Sequence, residues 1–319
     1  MIRPFGSRYQ RALNFLTFLV LNSLRRLPFL RHNLYRDAEV RRQLPTFRER
    51  CAYYLKLTKP FTMGQPVDLR ALGVIGKSRY KTDLARIFWS LPRSIKADFL
   101  LGDITRVPPI PSLVKSRPIG ADNSNGILLP LDAQRHFQFV EDSLTFEEKL
   151  PAAIWRGSAH HKRRKEFLLK AVACPCLDLG VIRSDDPRFA AHIRPYMPIA
   201  SQLKYRYILS VEGKDVATNL KWIMSSNSLC LMPKPRYETW FMEGQLVPGI
   251  HYVEILDDAN NLEEVIRYYN SYPEKAKIII ANARAHTLQF RDIKTELCLS
   301  REVVLEYARL TGQFTSDRW

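Results

Sequence analysis

Glycine occurs together with hydroxyl-bearing and basic residues in two segments of the 319-residue chain. The first is Arg156-Gly157-Ser158, a strand end and glycine turn followed by Arg163 and Arg164 at the start of a predicted helix. Glycine lets a phosphate approach the backbone, serine can donate a hydrogen bond to it, and guanidinium groups match its oxygens. The segment therefore suits a phosphate group, although short basic loops of this kind are also common on solvated surfaces.

The second segment is the turn 212–219, which precedes a helix predicted over 216–225 that carries Lys221. Its Gly213 follows a strand of the buried type, so the turn again suits phosphate. A third polar segment, 238–243, ends in Glu243, and a carboxylate there could accept the hydroxyls of a ribose. None of the three has the glycine spacing of a dinucleotide-binding or P-loop motif, and none is specific alone.

Histidine and cysteine do not combine into a metal site. His136, His160 and His161 have no carboxylate or third ligand at a supporting spacing, and their basic surroundings repel cations. The chain has five cysteines, and Cys174 and Cys176 have no second pair that would complete a zinc site. We therefore expect no metal, and the reduced thiols of a cytoplasmic protein.

Short apolar runs that end at glycine or proline alternate with helical patterns along the chain. This alternation predicts an α/β fold with a parallel sheet, in which ligands bind beyond the carboxyl ends of the strands. The predicted strands cover 99–103, 127–130, 152–158, 207–211, 229–232 and 251–255. The predicted helices cover 216–225, 237–243 and 292–311, with two more beginning after the N-caps Asp257 and Asn261 and at Pro273.

The chain is strongly basic, with a formal charge of +17, which predicts an anionic partner. The predicted helix over 12–24 is too short to span a bilayer, but arginines flank it, so residues 8–31 suit a peripheral contact with an anionic membrane. An ordinary packed helix is the alternative. A nucleic-acid-binding protein is a further alternative, but no zinc finger, RNA-binding aromatic motif or basic coiled coil is present, so we expect no nucleic acid partner.

Several separated segments occur in an order typical of one known family: 155–158, 204–213, 215–222, 226–228, 232–233, 240–244 and 251–253. Together they resemble glycosyltransferase family 90, and most closely its bacterial lipopolysaccharide-modifying branch. The resemblance covers roughly 98–292, and its specificity comes from several motifs in the right order.

The resemblance implies a GT-B architecture, in which two Rossmann-like α/β domains face a cleft. We assign residues 1–150 to basic N-terminal helices and an acceptor-side domain, 151–290 to the donor domain, and 291–319 to a C-terminal helix that packs back toward the N-terminal domain. The characterised animal members use UDP-sugars, invert the anomeric centre and need no metal.

Matching positions imply that Ser158 and Arg164 hold the donor diphosphate and that the turn 214–219 wraps the nucleotide. Asn219 replaces the arginine with which the animal enzymes end this turn, so other cations must meet part of the diphosphate charge, and the exact donor stays open. The implied donor-binding residues are Ser158, Arg164, Arg156, Gly213, Lys214, Asp215, Val216, Ala217, Thr218, Asn219, Lys221 and Glu243.

The resemblance also implies a catalytic base at Asp103, an aspartate at the end of a strand and before a proline-bearing loop. An inverting transfer needs one carboxylate to take the proton of the acceptor hydroxyl. Asp122 is the rival base, and an aspartate that caps a loop is the structural alternative for Asp103. Lys115, Arg117 and Arg163 are candidate contacts to the diphosphate or to an anionic acceptor.

The sequence thus predicts an inverting glycosyltransferase at the cytoplasmic face of a bacterial inner membrane. Its donor would be a UDP-sugar and its acceptor a hydroxyl of a bacterial glycan, such as the lipopolysaccharide core. A family member that binds without turnover is the alternative that Asn219 keeps open.

Overall fold

The structure is a computed structural model that describes residues 45–68, 78–88, 91–92, 94–120 and 122–313. The basic segment 8–31 and its predicted membrane contact lie outside these residues. The chain divides into two compact units, Met1–Ala133 with Asp292–Trp319, and Gln134–Arg291. The predicted domain boundaries lie at residues 150 and 290, whereas the boundaries between these units lie at residues 133 and 291. No helix among the described residues has the length and apolarity needed to cross a membrane.

The elements are numbered along the chain within the described residues. The helices are α1 (Pro45–Tyr54), α2 (Ser78–Phe88), α3 (Ala133–His136), α4 (Lys162–Ala171), α5 (Ile199–Gln202), α6 (Leu220–Met224), α7 (Leu262–Ser271), α8 (Pro273–Leu288) and α9 (Ile293–Leu310), with 3-10 helices at Pro187–His192 and Glu243–Gln245. The strands are β1 (Val67–Asp68), β2 (Lys96–Ala97), β3 (Phe99–Leu100), β4 (Ser112–Val114), β5 (Ser116–Pro118), β6 (Gly126–Leu128), β7 (Leu150–Ala159), β8 (Leu177–Ser184), β9 (Tyr205–Leu209), β10 (Leu229–Met232), β11 (Tyr237–Thr239) and β12 (Val253–Glu254).

The first unit contains a small parallel sheet with the strand order β3-β4-β6. The strands β4 and β6 are buried along their whole length, as their apolar residues require. The long helix α9 belongs to this unit, where the Tyr307 hydroxyl accepts a hydrogen bond from the Asp98 backbone at 3.1 Å. Arg50 on α1 also makes a two-pronged ion pair with Glu296 on α9, with both nitrogen–oxygen distances at 2.7 Å.

The second unit contains a five-stranded sheet with the order β12-β10-β9-β7-β8, in which every neighbouring pair is parallel. Helices connect the strands, and a single apolar core forms from the sheet and the helices α4, α7 and α8. The predicted α/β class with parallel sheets is therefore confirmed. The carboxyl ends of β7, β9 and β10 meet at one edge, which is where such a sheet places its ligands.

Three local predictions were wrong. No turn occurs at Gly157, because β7 continues to Ala159; a Cβ at Gly157 would lie 2.8 Å from the Trp155 ring, so this glycine makes room for an aromatic neighbour. The helix predicted over 216–225 is only α6, because the preceding residues form a turn. The helix predicted over 237–243 is instead β11 and a 3-10 turn, and the Glu212 carboxylate accepts the Arg236 and Tyr237 amides at 2.9 and 3.3 Å.

Candidate active site

A carboxylate and a lysine meet at the carboxyl-end edge of the small sheet in the first unit. Asp103 follows β3 through Gly102, whose φ of 130° favours glycine. Lys115 follows β4 directly, and because β3 and β4 are parallel neighbours, both residues lie at the same edge. The Lys115 Nζ atom donates to the Asp103 Oδ1 atom at 2.5 Å, with 1% of the lysine side chain exposed and 26% of the aspartate. The lysine is thus buried while the carboxylate still reaches solvent.

The rival base Asp122 lies at the other edge of this sheet. It precedes β6, which runs parallel to β4, and its exposed carboxylate accepts a hydrogen bond from the Ser124 hydroxyl at 3.3 Å. Since ligands bind at the carboxyl ends of parallel strands, the topology favours Asp103.

Arg117 is fully buried in the first unit. Its guanidinium donates to the Gly126 and Tyr53 carbonyls at 2.8 and 2.7 Å and lies over the Tyr53 ring. These contacts give Arg117 a packing role, and its predicted ligand contact finds no support in this geometry.

In the second unit, Arg164 ties together the ends of β7 and β9. Its guanidinium donates to the carbonyls of Ser158 at 3.1 Å, Val211 at 2.6 Å and Glu212 at 3.1 Å. Burial lowers the pKa of Arg164 to about 10, although the charges of Asp215 and Glu212 act in the opposite direction. Arg164 therefore fixes the loops that would surround a ligand, while the half-buried Ser158 hydroxyl has no hydrogen-bond partner among the described residues.

Asn219 closes the turn that follows β9. Its amide nitrogen donates to the Leu209 carbonyl at 2.9 Å, and its amide oxygen accepts from the Ser210 hydroxyl at 3.2 Å. Within the turn, Gly213 donates to the Asp215 carbonyl at 3.0 Å, and Lys214 is exposed. Of the remaining turn residues, Asp215, Val216 and Ala217 are buried and Thr218 is half-buried. Asn219 thus holds the end of β9.

Lys221 and Glu243 form a fully buried ion pair. The Lys221 Nζ atom is 2.5 Å from the Glu243 carboxylate, and the exposed fractions of the two side chains are 0% and 1%. Glu243 also accepts from the backbone and hydroxyl of Thr239 at 2.6 and 2.9 Å, and Lys221 lies 5.1 Å from the centroid of the Phe241 ring. Their predicted contacts to diphosphate and ribose stay predictions, because both charges are engaged within the unit.

Comparisons with known proteins agree on one family. The model described as glycosyl transferase family 90 matches residues 133–315. The chain is 44% identical over 262 residues to the O-glucosyltransferase LpsA of Dichelobacter nodosus, an alignment that covers 82% of each protein. The chain belongs to glycosyltransferase family 90. It is therefore a glycosyltransferase that takes a sugar donor and a glycan acceptor, and the predicted family, including its bacterial branch, is confirmed.

A more distant relative extends the family comparison to animals. The chain is 23% identical over 177 residues to an O-glucosyltransferase rumi homolog of Aedes aegypti, which covers 53% of this chain and 44% of that protein. The match to the family 90 model begins at residue 133, so it contains the edge of the second unit but neither Asp103 nor Lys115.

Arg156 serves the sheet of this family 90 protein. Its guanidinium forms a two-pronged ion pair with Asp178 on β8, with nitrogen–oxygen distances of 2.7 and 2.8 Å. A Cβ at Gly180 would lie 2.6 Å from the Arg156 side chain, so the glycine leaves room for the guanidinium on the sheet. These contacts join β7 to β8, and the predicted contact with a donor stays a prediction.

The predicted independence from metal also stays a prediction. Within the described part of the chain, no three histidine, cysteine, aspartate or glutamate side chains are grouped to hold a metal ion. His160 has one acidic neighbour, Asp185, at 3.9 Å. His136 is buried with a ring nitrogen 3.2 Å from Arg135, and Cys174 and Cys176 are thiols.

One charged cavity of about 260 Å³ in the second unit was missed in part by the sequence analysis. Arg163, a candidate diphosphate contact, lines it together with Arg236 and Asp257. Asp257 was interpreted as a helix cap, but its carboxylate accepts from Arg163 and Arg236 at 2.8 and 2.9 Å. The sequence gives no signal for this arrangement, because Arg163 lies on α4 while Arg236 and Asp257 lie in two separate loops.

Proposed function

We propose that this protein is an inverting O-glucosyltransferase that moves glucose from UDP-glucose to a hydroxyl of a bacterial glycan, such as the lipopolysaccharide core. The name of the relative LpsA supports glucose and an oxygen acceptor. The observation that carries the proposal is the pairing of Asp103 with Lys115 at 2.5 Å, at the edge of a parallel sheet where ligands bind.

In the proposed reaction, the Asp103 carboxylate takes the proton of the acceptor hydroxyl as the hydroxyl oxygen attacks C1 of the sugar. The bond between C1 and the diphosphate oxygen breaks, and its electron pair leaves with UDP. A positioned carboxylate of this kind contributes about 10²- to 10⁴-fold to the rate. Lys115 positions the carboxylate through Oδ1, and Ser158 with the backbone around Gly213 would receive the diphosphate.

The proposal includes the finer expectations of the resemblance. We propose that the two units adopt the GT-B arrangement, that the transfer needs no metal, and that the protein works at the cytoplasmic face of the inner membrane. The parallel sheet in each unit supports the first of these expectations, and the other two come from the resemblance to the family.

The decisive experiment compares Asp103→Asn with Asp122→Asn in an assay of glucose transfer to lipopolysaccharide acceptor. We expect Asp103→Asn to lower the rate by about 10²- to 10⁴-fold because the amide cannot take the proton. Affinity for UDP, measured by calorimetry, should stay the same in both variants, and Asp122→Asn should turn over normally. Normal turnover in Asp103→Asn would overturn the assignment, and a loss confined to Asp122→Asn would move the base to the other edge.

A thermal-shift comparison of UDP, GDP, CDP and their sugars tests the donor. A ligand that binds only the native state raises its apparent stability, so UDP should raise the melting temperature of the protein most. A shift with another nucleotide and none with UDP would exclude the proposed donor. Binding of UDP-glucose with neither transfer nor slow donor hydrolysis would support the alternative of a family member without turnover.

A further inference from the structure

Two arginines from different elements of the second unit converge on one carboxylate at the charged cavity. Arg163 comes from the first turn of α4, and Arg236 from the segment that precedes β11. Their Nη2 atoms lie 2.8 and 2.9 Å from the two different oxygens of Asp257. We call Arg163 and Arg236 the arginine clamp.

The arginine clamp is braced from behind by Glu212. This carboxylate is half-buried, with 16% of its side chain exposed. It accepts a hydrogen bond from the backbone amide of Arg236 at 2.9 Å and lies 3.6 Å from the Arg163 guanidinium. Burial raises the pKa of Glu212, and these amide contacts oppose that rise. Glu212 therefore fixes the backbone of Arg236 and the side chain of Arg163.

The carboxylate between the two arginines is the most exposed of the three side chains. Asp257 lies in a turn after β12, and 60% of its side chain is exposed. Partial burial raises the pKa of Asp257, but Arg163 and Arg236 outweigh it and leave the pKa below its ordinary value. The carboxylate is thus ionised at neutral pH, and it can return to water without leaving a buried charge behind.

The geometry points to a phosphate-binding site in which Asp257 stands in for the phosphate when no ligand is bound. Guanidinium groups bind carboxylate and phosphate oxygens with the same two-pronged geometry, so a phosphate group can take the place of Asp257 between Arg163 and Arg236. Lys170 adds a third cation to the cavity wall, and Phe167 and Pro233 provide an apolar floor beside it.

Two molecules could carry the phosphate group that binds the clamp, and their identity rests on the proposed function. One is the diphosphate of the sugar nucleotide, since Arg163 is the neighbour of Arg164 at the edge of the sheet. The other is a phosphate on the glycan acceptor. Both would place phosphate oxygens between Arg163 and Arg236. They differ in which soluble probe changes its affinity when the clamp is altered.

The test is a gain of affinity in Asp257→Asn. The asparagine keeps the shape of the side chain but removes the competing charge, so a phosphate-bearing probe should bind about two- to fivefold more tightly. Arg236→Gln should weaken the same binding by about tenfold, because a charge-assisted hydrogen bond is lost. Calorimetry with UDP, uridine, inorganic phosphate and glucose 1-phosphate measures both effects on the intact chain.

The matched control is the pair Arg267 and Glu263, which has the same 2.9 Å contact in the same unit but lies on the exposed face of α7. Glu263→Gln and Arg267→Gln should leave all four affinities unchanged. A response of UDP alone assigns the clamp to the donor, and a response of inorganic phosphate and glucose 1-phosphate without UDP assigns it to the acceptor.

Unchanged affinity of Asp257→Asn for all three phosphate probes, or an equal gain for uridine, would overturn the inference. Such a failure leaves the proposed function intact if the wild-type protein still transfers glucose and Asp103→Asn does not. Conversely, absence of UDP binding by the wild-type protein would defeat the proposed donor, while a response of inorganic phosphate to Asp257→Asn would still support the clamp.

Discussion

The two sheet edges that carry the candidate site residues use the same topology for opposite charges. In the first unit, a buried lysine holds a partly exposed carboxylate, Asp103, through one ion pair of 2.5 Å. In the second unit, a largely buried guanidinium, Arg164, is held by three backbone carbonyls and makes no ion pair with the described residues. The first edge thus offers a group that can accept a proton, whereas the second offers a rigid frame of loops.

This difference indicates how the work of a transferase is divided. A base must be positioned and yet remain reachable by a hydroxyl, and the partial exposure of Asp103 fits its proposed role. A diphosphate site needs donors that do not reorganise, and at the proposed donor site the Arg164 guanidinium fixes the loops. The buried pair Lys221 and Glu243 extends the frame beneath the turn 214–219.

The largest expected effect is on the stability of the second edge. Lys221→Met should lower the free energy of unfolding by about 3–5 kcal/mol, because it leaves the Glu243 carboxylate buried without its ammonium partner. The double variant Lys221→Met/Glu243→Leu should recover most of this loss. Urea unfolding followed by circular dichroism measures both.

The exposed pair Lys162 and Glu166, 3.9 Å apart with 89% and 55% of the side chains exposed, provides the control. Lys162→Met should change the free energy of unfolding by less than about 0.5 kcal/mol. If Lys221→Met instead kept the stability of the wild-type protein and lost affinity for UDP, Lys221 would be a donor ligand. The second edge would then contribute binding groups as well as a rigid frame of loops.

These same residues show where prediction from the sequence ends. The strands β7, β9 and β10 were predicted because apolar runs bounded by glycine and proline are visible locally. The roles of Arg156 and Lys221 were not, because each finds its acidic partner 22 residues away on another element. Gly157 was predicted to form a turn for a related reason. The Trp155 ring packs where a Cβ at Gly157 would lie, and this contact exists only because β7 stays extended through both residues. Asp103 was singled out through the resemblance to family 90, and its position after a parallel strand agrees with the edge at which such sheets bind ligands.

The next effect concerns the first edge. Lys115→Gln should lower the rate of transfer by about tenfold to a hundredfold, because Asp103 loses the contact that sets its position. The affinity for UDP should not change, so the loss should fall on kcat rather than on donor binding. Single-turnover transfer assays with saturating UDP-glucose separate the two.

Lys56→Gln is the matched control, since Lys56 is a lysine of the same unit whose Nζ atom donates to the Asn123 side chain at 2.7 Å. It should keep normal turnover. An unchanged kcat in Lys115→Gln would mean that Asp103 is positioned by other contacts, whereas a loss of UDP affinity would make Lys115 a diphosphate ligand.

The smallest expected effect tests whether Arg164 supports UDP binding by fixing the loops around it. A Cβ at Gly213 would lie 3.0 Å from the Arg164 Nη2 atom and 3.3 Å from the His161 ring. Gly213→Ala should therefore displace the guanidinium from the Val211 carbonyl and weaken UDP binding by about threefold to tenfold. Calorimetry with UDP measures the change.

Gly120→Ala separates this effect from the general cost of replacing glycine, because a Cβ at Gly120 meets no atom within 4 Å and its backbone does not require glycine. It should bind UDP normally. If Gly213→Ala also bound UDP normally, the guanidinium could move without any effect on UDP binding, and Arg164 would then not be a frame for the proposed donor site. The ratio of the UDP affinities of the two alanine variants therefore decides whether the position of Arg164 matters to donor binding at the second edge.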